Sequence, residues 1–307
     1  MAAERLTRRR ALGLVAAAAG LPLVLRATRA TAEVVTWHGR ALGAPATLVL
    51  HHDDRPAAER LVAACVAELD RLEGILSLYR ADSALSELNR VGALAVPPPE
   101  LVAILRDCQT FHALTAGAFD PTVQPLWHLY ARHFQSGGGP EGPPVATIAA
   151  ARGLVGLDAV RVGAARVAFG RPGMALTLNG IAQGWITDRV VDRLRAAGVT
   201  STLVDMGEIR GLGGPWEVGV AGSPAMLELT DRAVATSAPA GFAFDAPGRF
   251  THLIDPRTGA TPAPFSRVTV TAATAAEADA LSTALALGGS APALPGMTVE
   301  RIAASRG

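Results

Sequence analysis

The chain has 307 residues, half of them hydrophobic and only 18% charged, which excludes a disordered protein and allows one large core or two small ones. All 28 of its cationic residues are arginine, so a lysine Schiff base and a lysine-bearing phosphate loop are both excluded. The net charge of +1 carries no basic patch, which argues against nucleic acid as a partner.

Residues 1–32 read as an export signal. Thr7-Arg8-Arg9-Arg10-Ala11-Leu12 precedes an apolar run from Ala11 to Leu25, and Ala30-Thr31-Ala32 offers a small-residue cleavage site. Pro22 breaks the alanine- and glycine-rich run, which speaks against a permanent membrane anchor. The paired arginines point to the twin-arginine route and a periplasmic location. Without this segment 22 arginines face 26 acidic residues, a net charge of −4. Cys65 and Cys108 fall in helix-like segments and are expected as buried free thiols, since two cysteines make no disulfide framework.

Glu33 to Leu50 reads as two strands joined around Gly43-Ala44-Pro45, followed by a solvated loop, His51-His52-Asp53-Asp54. Pro56 to Leu76 is a helix with Leu61, Cys65, Leu69, Leu72 and Leu76 on one face. Asp82 or Ser83 caps a short helix that buries Leu85 and Leu88. A helix spans Pro97 to Ala116, and Asp120-Pro121-Thr122 forms a turn that starts another. Ser136 to Pro144, SGGGPEGPP, is a flexible surface insertion rather than a domain boundary. Residues 160–178 alternate in the manner of a hairpin.

Met174 to Gly198 is the organising stretch: a strand at Ala175 to Leu178, a turn at Asn179-Gly180, then a helix facing inward through Ile186, Val190, Leu194 and Ala197. Gly180 and Gly184 either leave N–H groups facing a phosphate or simply let helix and sheet pack closely. Ser201 to Arg210 and Trp216 to Val220 carry further strands. In His252-Leu253-Ile254-Asp255-Pro256-Arg257-Thr258-Gly259, strand alternation puts His252 and Ile254 on one face, and Asp255 opens a reverse turn. Asp279 and Thr283 lie four apart on a last helix, so both oxygens emerge on one side, a pattern compatible with a hard cation.

Several of these strings together resemble one family. LNGIAQGWITD is similar to the glycine-rich signature of the ApbE family of FAD:protein FMN transferases, SLYRADSALSELNR to its tyrosine element, TAGAFDPT to its Gly-x-Phe-Asp-x-Thr segment, and HLIDPRTG to its most recognisable string. Val234 to Ser237 resembles its Ala-Thr-Ser element. The resemblance implies an α+β fold related to the T-fold, with mainly antiparallel sheets flanked by helices. It would form one unit over 33–307, in two lobes with FAD between them. It implies Mg²⁺-dependent transfer of FMN from FAD to a serine or threonine hydroxyl, with release of AMP. The acceptor would carry an Asp-Gly-x-Ser/Thr-Gly-Ala-Ser/Thr-like segment and belong to a respiratory flavoprotein. An FAD hydrolase and a non-catalytic FAD carrier are the alternatives on the same scaffold.

The same resemblance distributes roles. FAD contacts fall on Leu42, Tyr79, Ala118, Phe119, Asp120, Thr177, Gln183 and Leu253. The metal falls on Gly180, Asp279 and Thr283. His252 is the expected base, with Asp255 as second candidate. Thr177 stands where the family usually has an acid and Gln183 where it often has lysine, both losses of charge near the nucleotide. Gly207-Glu208-Ile209-Arg210 replaces the usual Gly-Gly-Asp-Ile.

Overall fold

The computed structural model describes residues 33–220 and 226–303, so the predicted export signal lies outside the described residues. The chain enters through β1 (Glu33–Ala41) and β2 (Ala44–His52), an antiparallel pair closed by Leu42-Gly43. Both turn residues have positive φ, 48° and 86°, the two-residue geometry that matches strand twist. A leucine there is strained by about 1–2 kcal/mol, and its N–H is held by the Glu73 carboxylate. His51 and His52 complete β2 instead of forming a loop, and Asp54 caps α1 (Arg55–Leu76) by accepting from the Ala57 N–H. The alternation that separates the two histidines is strand alternation after all.

Ser83, not Asp82, caps α2 (Ala84–Val91), which buries Leu85 and Leu88. There follow β3 (Ala93–Ala95), α3 (Pro99–Leu114), a 3₁₀ turn at Pro121–Val123, α4 (Gln124–Gln135) and α5 (Val145–Arg152). The predicted hairpin is β4 (Val160–Val162) with β5 (Arg166–Phe169), paired beside β3 in a small antiparallel sheet. The organising helix is α6 (Ala182–Ala196). Gly198, at φ +87°, ends it, with Gly198 N–H donating to Arg195 and Val199 N–H to Leu194.

The remaining elements are β6 (Thr202–Asp205), β7 (Ile209–Leu212), β8 (Trp216–Gly219), β9 (Met226–Leu229), β10 (Ala233–Ser237), β11 (Phe265–Ala272), α7 (Ala275–Ala286) and β12 (Thr298–Ala303). The main sheet runs β1-β2-β6-β7-β10-β11-β12, and each adjacent pair is antiparallel. The architecture is therefore the expected α+β one. Helices α1, α6 and α7 cover one face, where Leu48, Leu50, Leu72, Ile186 and Val190 are fully buried. The β8–β9 hairpin covers part of the other face through Trp216, Val218 and Leu229. No helix of the described residues is long and apolar enough to cross a membrane. Cys65 and Cys108 are buried and free, and burial pushes the Cys65 thiol up to about 11.

Candidate active site

Two expected strands are absent, and both absences shape the site. Ala175–Leu178 is extended but joins no sheet. The side chain of Asn89 takes the place of a neighbouring strand, accepting from Leu176 N–H at 2.7 Å and donating to the Leu176 carbonyl at 2.8 Å. Thr177 N–H donates to the Pro121 carbonyl. His252–Ile254, which opens on a bend at His252, likewise joins no sheet and is tied to its neighbour through a single bridge at Thr251–Ala243. Free of a ladder, both segments turn toward one cleft.

Twelve of the thirteen residues singled out from the sequence line this cleft. Leu42 and Tyr79 come from the first turn and the α2 approach. Ala118, Phe119 and Asp120 come from the loop before α4. Thr177, Gly180 and Gln183 come from the glycine segment, His252 and Leu253 from the segment that follows Thr251, and Asp279 and Thr283 from α7. Asp255 is the exception. Its carboxylate is held in the turn by the Arg257 N–H and by a two-pronged ion pair with the Arg257 guanidinium, both bonds 2.9 Å. That engagement gives Asp255 the reverse-turn role.

The two glycines divide the two readings offered for them. A Cβ at Gly184 would overlap the Ala275 carbonyl, so Gly184 serves the close approach of α6 to α7. Its N–H donates to Asp279 Oδ2 at 3.1 Å, and the N–H groups of Ile181 and Ala182 both donate to Leu178. These first-turn donors are used internally instead of facing a phosphate. A Cβ at Gly180 would lie 3.1 Å from Thr283 Oγ1, which puts the turn against the metal-compatible pair.

Asp279 is 3% exposed, and burial raises its carboxyl to about 7, with Asp188 adding repulsion against the stabilising Gly184 N–H. Glu208, in the β6–β7 turn, shares the cleft and is itself pushed well up by burial and by Asp279. Sequence reading did not select Glu208. The signal was its departure from the expected glycine string, an acid directly after Gly207. The Ser237 hydroxyl reaches Ser282 at 2.8 Å and Thr283 at 3.4 Å. Among the described residues no three His, Cys, Asp or Glu side chains form a ready metal cluster. The donor set around Asp279 is nevertheless all oxygen, and a partly uncompensated buried carboxylate is what a hard cation relieves.

His252 Nδ1 lies 3.0 Å from the Phe242 carbonyl oxygen, and burial lowers the imidazole pKa. A carbonyl only accepts, so the proton sits on Nδ1 and Nε2 carries the lone pair. Tyr79 accepts from the Asn179 side-chain amide at 3.1 Å across the mouth. Asp120 is a structural acid at the wall: it accepts from Thr122 N–H, Thr122 Oγ1 and Leu157 N–H. Trp127, a second residue not selected from sequence, follows Val123 by one helical turn and packs near-parallel on Phe242 at 6.3 Å.

The fold as a whole is that of solved flavin transferases. The ApbE family profile matches residues 42–302, and the chain belongs to that family. The FAD:protein FMN transferase of Treponema pallidum is 33% identical over 268 residues, 76% of this chain and 73% of its own. A Klebsiella pneumoniae FAD:protein FMN transferase is 30% identical over 261 residues, 76% and 72% of the two chains. That of Vibrio cholerae is 32% identical over 219 residues, 62% of this chain and 63% of its own. Among solved structures, the apo form of Pseudomonas stutzeri flavinyl transferase ApbE superposes with a TM-score of 0.73 at 28% identity. It covers 88% of this chain and 95% of its own. The ApbE protein of Thermotoga maritima gives 0.73 at 26% identity, over 83% and 87%.

Proposed function

We propose that this chain moves the FMN half of FAD onto a serine or threonine hydroxyl of an acceptor protein and releases AMP. The observation that carries the reading is the His252 imidazole, fixed as an Nδ1–H tautomer in the same cleft as Asp279 and Thr283. A hydroxyl is a poor nucleophile near neutral pH, and a positioned base typically contributes about 10²- to 10⁴-fold. Nε2 of His252 takes the hydroxyl proton as the oxygen attacks the FMN phosphorus. The bond from that phosphorus to the bridging oxygen breaks, and AMP departs with that oxygen. Asp279, Thr283 and Gly180, with Glu208 beside them, would hold Mg²⁺, which when bound neutralises charge on the pyrophosphate and the leaving oxygen. Tyr79 and Leu42 wall the mouth, and Trp127 and Phe119 supply apolar surface for the flavin or adenine ring.

The acceptor we infer carries an Asp-Gly-x-Ser/Thr-Gly-Ala-Ser/Thr-like segment in a respiratory flavoprotein subunit. The twin-arginine pattern at Thr7 to Leu12 supports export of the folded protein to the periplasm. The reaction is tested by mixing protein, FAD and Mg²⁺ with and without the acceptor. AMP formed only with acceptor supports transfer, AMP without acceptor would make the protein a hydrolase, and no AMP would make it a carrier.

A further inference from the structure

The carbonyl of Phe242 holds His252, but no strand ladder holds Phe242. Between β10 and His252 the chain pairs through the single Ala243–Thr251 bridge. Its backbone bonds close on themselves: Phe244 N–H donates to the Phe250 carbonyl at 2.7 Å, and His252 N–H to that of Phe242 at 3.1 Å. Arg249 ties it to the rest of the chain, donating to the Pro140 carbonyl and accepting from the Thr261 hydroxyl. A segment of this kind takes its placement largely from the side chains it packs, and here they are aromatic. Phe244 and Phe250 lie on Tyr130 of α4 at 5.6 and 5.8 Å, and Phe250 lies on Phe134 at 5.2 Å. Trp127 takes Phe242 at 6.3 Å, the rings 26° from parallel, and meets Phe244 edge-on at 5.5 Å.

Of these three α4 rings, Trp127 alone lines the cleft. We infer that Trp127 is the positioning residue for the base: its indole supports Phe242, the Phe242 carbonyl fixes Nδ1–H of His252, and the lone pair of Nε2 is thereby presented to the acceptor hydroxyl. The inference rests on the transfer reading above and adds the residue that sets the geometry of the base. Trp127 acts through Phe242, not on a reacting atom. Such support matters because a misplacement of about 1 Å costs about 10²-fold in rate. Helix α4 is a rigid mount for the indole, with Leu126 and Tyr130 beside it buried. It also grips the chain beyond the histidine, since the Tyr130 hydroxyl donates to the Gly259 carbonyl at 2.9 Å. One helix therefore holds the chain on both sides of His252.

The test is nitrogen NMR of the histidine side chains in the full chain, with His252→Gln assigning the His252 signals. It is read beside the rate at which a fusion protein carrying the acceptor segment is labelled at saturating FAD and Mg²⁺. In the unaltered protein the His252 proton should reside on Nδ1. Trp127→Leu keeps an apolar wall and removes the ring that meets Phe242. Phe242→Leu breaks the same contact from the other side and leaves the carbonyl in place. Each should let the proton divide between Nδ1 and Nε2 and lower the saturated labelling rate by about 10- to 10²-fold. Trp127→Phe should keep both near the unaltered protein's values. The double leucine variant should be no slower than the slower single one, because the two substitutions break one contact. Thermal unfolding of each variant separates loss of placement from loss of the fold, and should Trp127→Leu not fold, Phe242→Leu carries the same test. A proton kept on Nδ1 with an unchanged rate in the leucine variants overturns the inference, and so do fully additive losses. Labelling absent from the unaltered protein overturns the transfer reading alone, and the nitrogen signals then decide on Trp127.

Discussion

The Nδ1 atom of His252 and the carbonyl oxygen of Phe242 lie 3.0 Å apart, and that contact decides which ring nitrogen can accept a proton. The same carbonyl also receives the His252 backbone N–H at 3.1 Å, so the residue is gripped twice by one acceptor. Phe242 in turn packs on Trp127 and Phe244, which anchors the grip in the aromatic cluster beside the cleft.

His252→Ala should therefore retain FAD binding and lose labelling of the acceptor by about 10²- to 10⁴-fold. Covalent flavin fluorescence on a denaturing gel reads the loss, and calorimetry reads the binding. Loss of both together would make His252 a nucleotide contact.

The pH dependence follows from the same burial. The imidazole pKa lies below its ordinary 6.5, so the neutral base persists to more acidic pH than a free histidine allows. The rate of labelling should be flat near neutrality and fall only below pH 6.5. Stability has the same sign, because the unfolded chain binds its proton first and gains on the folded state as pH drops through 6.5. At saturating Mg²⁺, where the cation would hold Asp279 deprotonated, an acid limb centred above pH 6.5 would contradict the burial argument.

Asp279 carries a cost in the metal-free protein. Its carboxyl is raised from 3.8 to about 7, so between those values the unfolded chain holds fewer protons than the folded one, and stability falls as pH rises through that window. Asp279→Asn keeps an acceptor for Gly184 N–H and removes the charge. In EDTA at pH 8 it should stabilise the fold by on the order of 2–4 kcal/mol, at about 1.4 kcal/mol per pKa unit, with the gain vanishing near pH 4. Mg²⁺ should raise the wild-type Tm and leave the variant unmoved. An equal Mg²⁺ response in both would move the cation elsewhere.

Asp188 places α7, and through it Asp279. Its carboxylate meets Arg210 at 2.7 Å and accepts from the N–H groups of Ala275 and Ala276 at 2.9 Å each. Asp188→Ala leaves a guanidinium that is 9% exposed with only the longer 3.5 Å contact to Asp192, and should cost about 3–5 kcal/mol by thermal unfolding. Adding Arg210→Met should recover part of that loss. A double variant no better than the single one would show that the helix start, and not the stranded charge, dominates.

Gly184→Ala probes the approach of α6 to α7. The obstruction is the Ala275 backbone, which has no rotamer to change, so overpacking should cost about 1–3 kcal/mol. The variant should also weaken the Mg²⁺-dependent rise in Tm, since Gly184 N–H and Asp279 move apart together. Wild-type stability would mean that the helices part without penalty.

The helices were legible because their signals are local. The α1 stripe, the Ser83 cap and the Gly198 stop each sit within a few residues of what they control. The cleft was legible for a different reason: its strings resemble those of the ApbE family, and the resemblance assigned the roles that composition and periodicity left open. What escaped depends on distant partners. Leu176 looks like a strand residue and satisfies its backbone on Asn89, 87 positions earlier. His252 alternates like a strand but joins no ladder. The chain offers β11 a strong pattern in Val268, Val270 and Ala272, yet its place in the sheet comes from β10 and β12. Glu208 gains its meaning only when the β6–β7 turn brings it beside a helix that begins 67 residues later.

The most direct test of the account is mass spectrometry of the acceptor after reaction with FAD and Mg²⁺, with AMP measured in the same sample. The account predicts one FMN phosphoryl group on a serine or threonine for each AMP released, and neither product from His252→Ala. AMP accompanied by free FMN and an unmodified acceptor would contradict it.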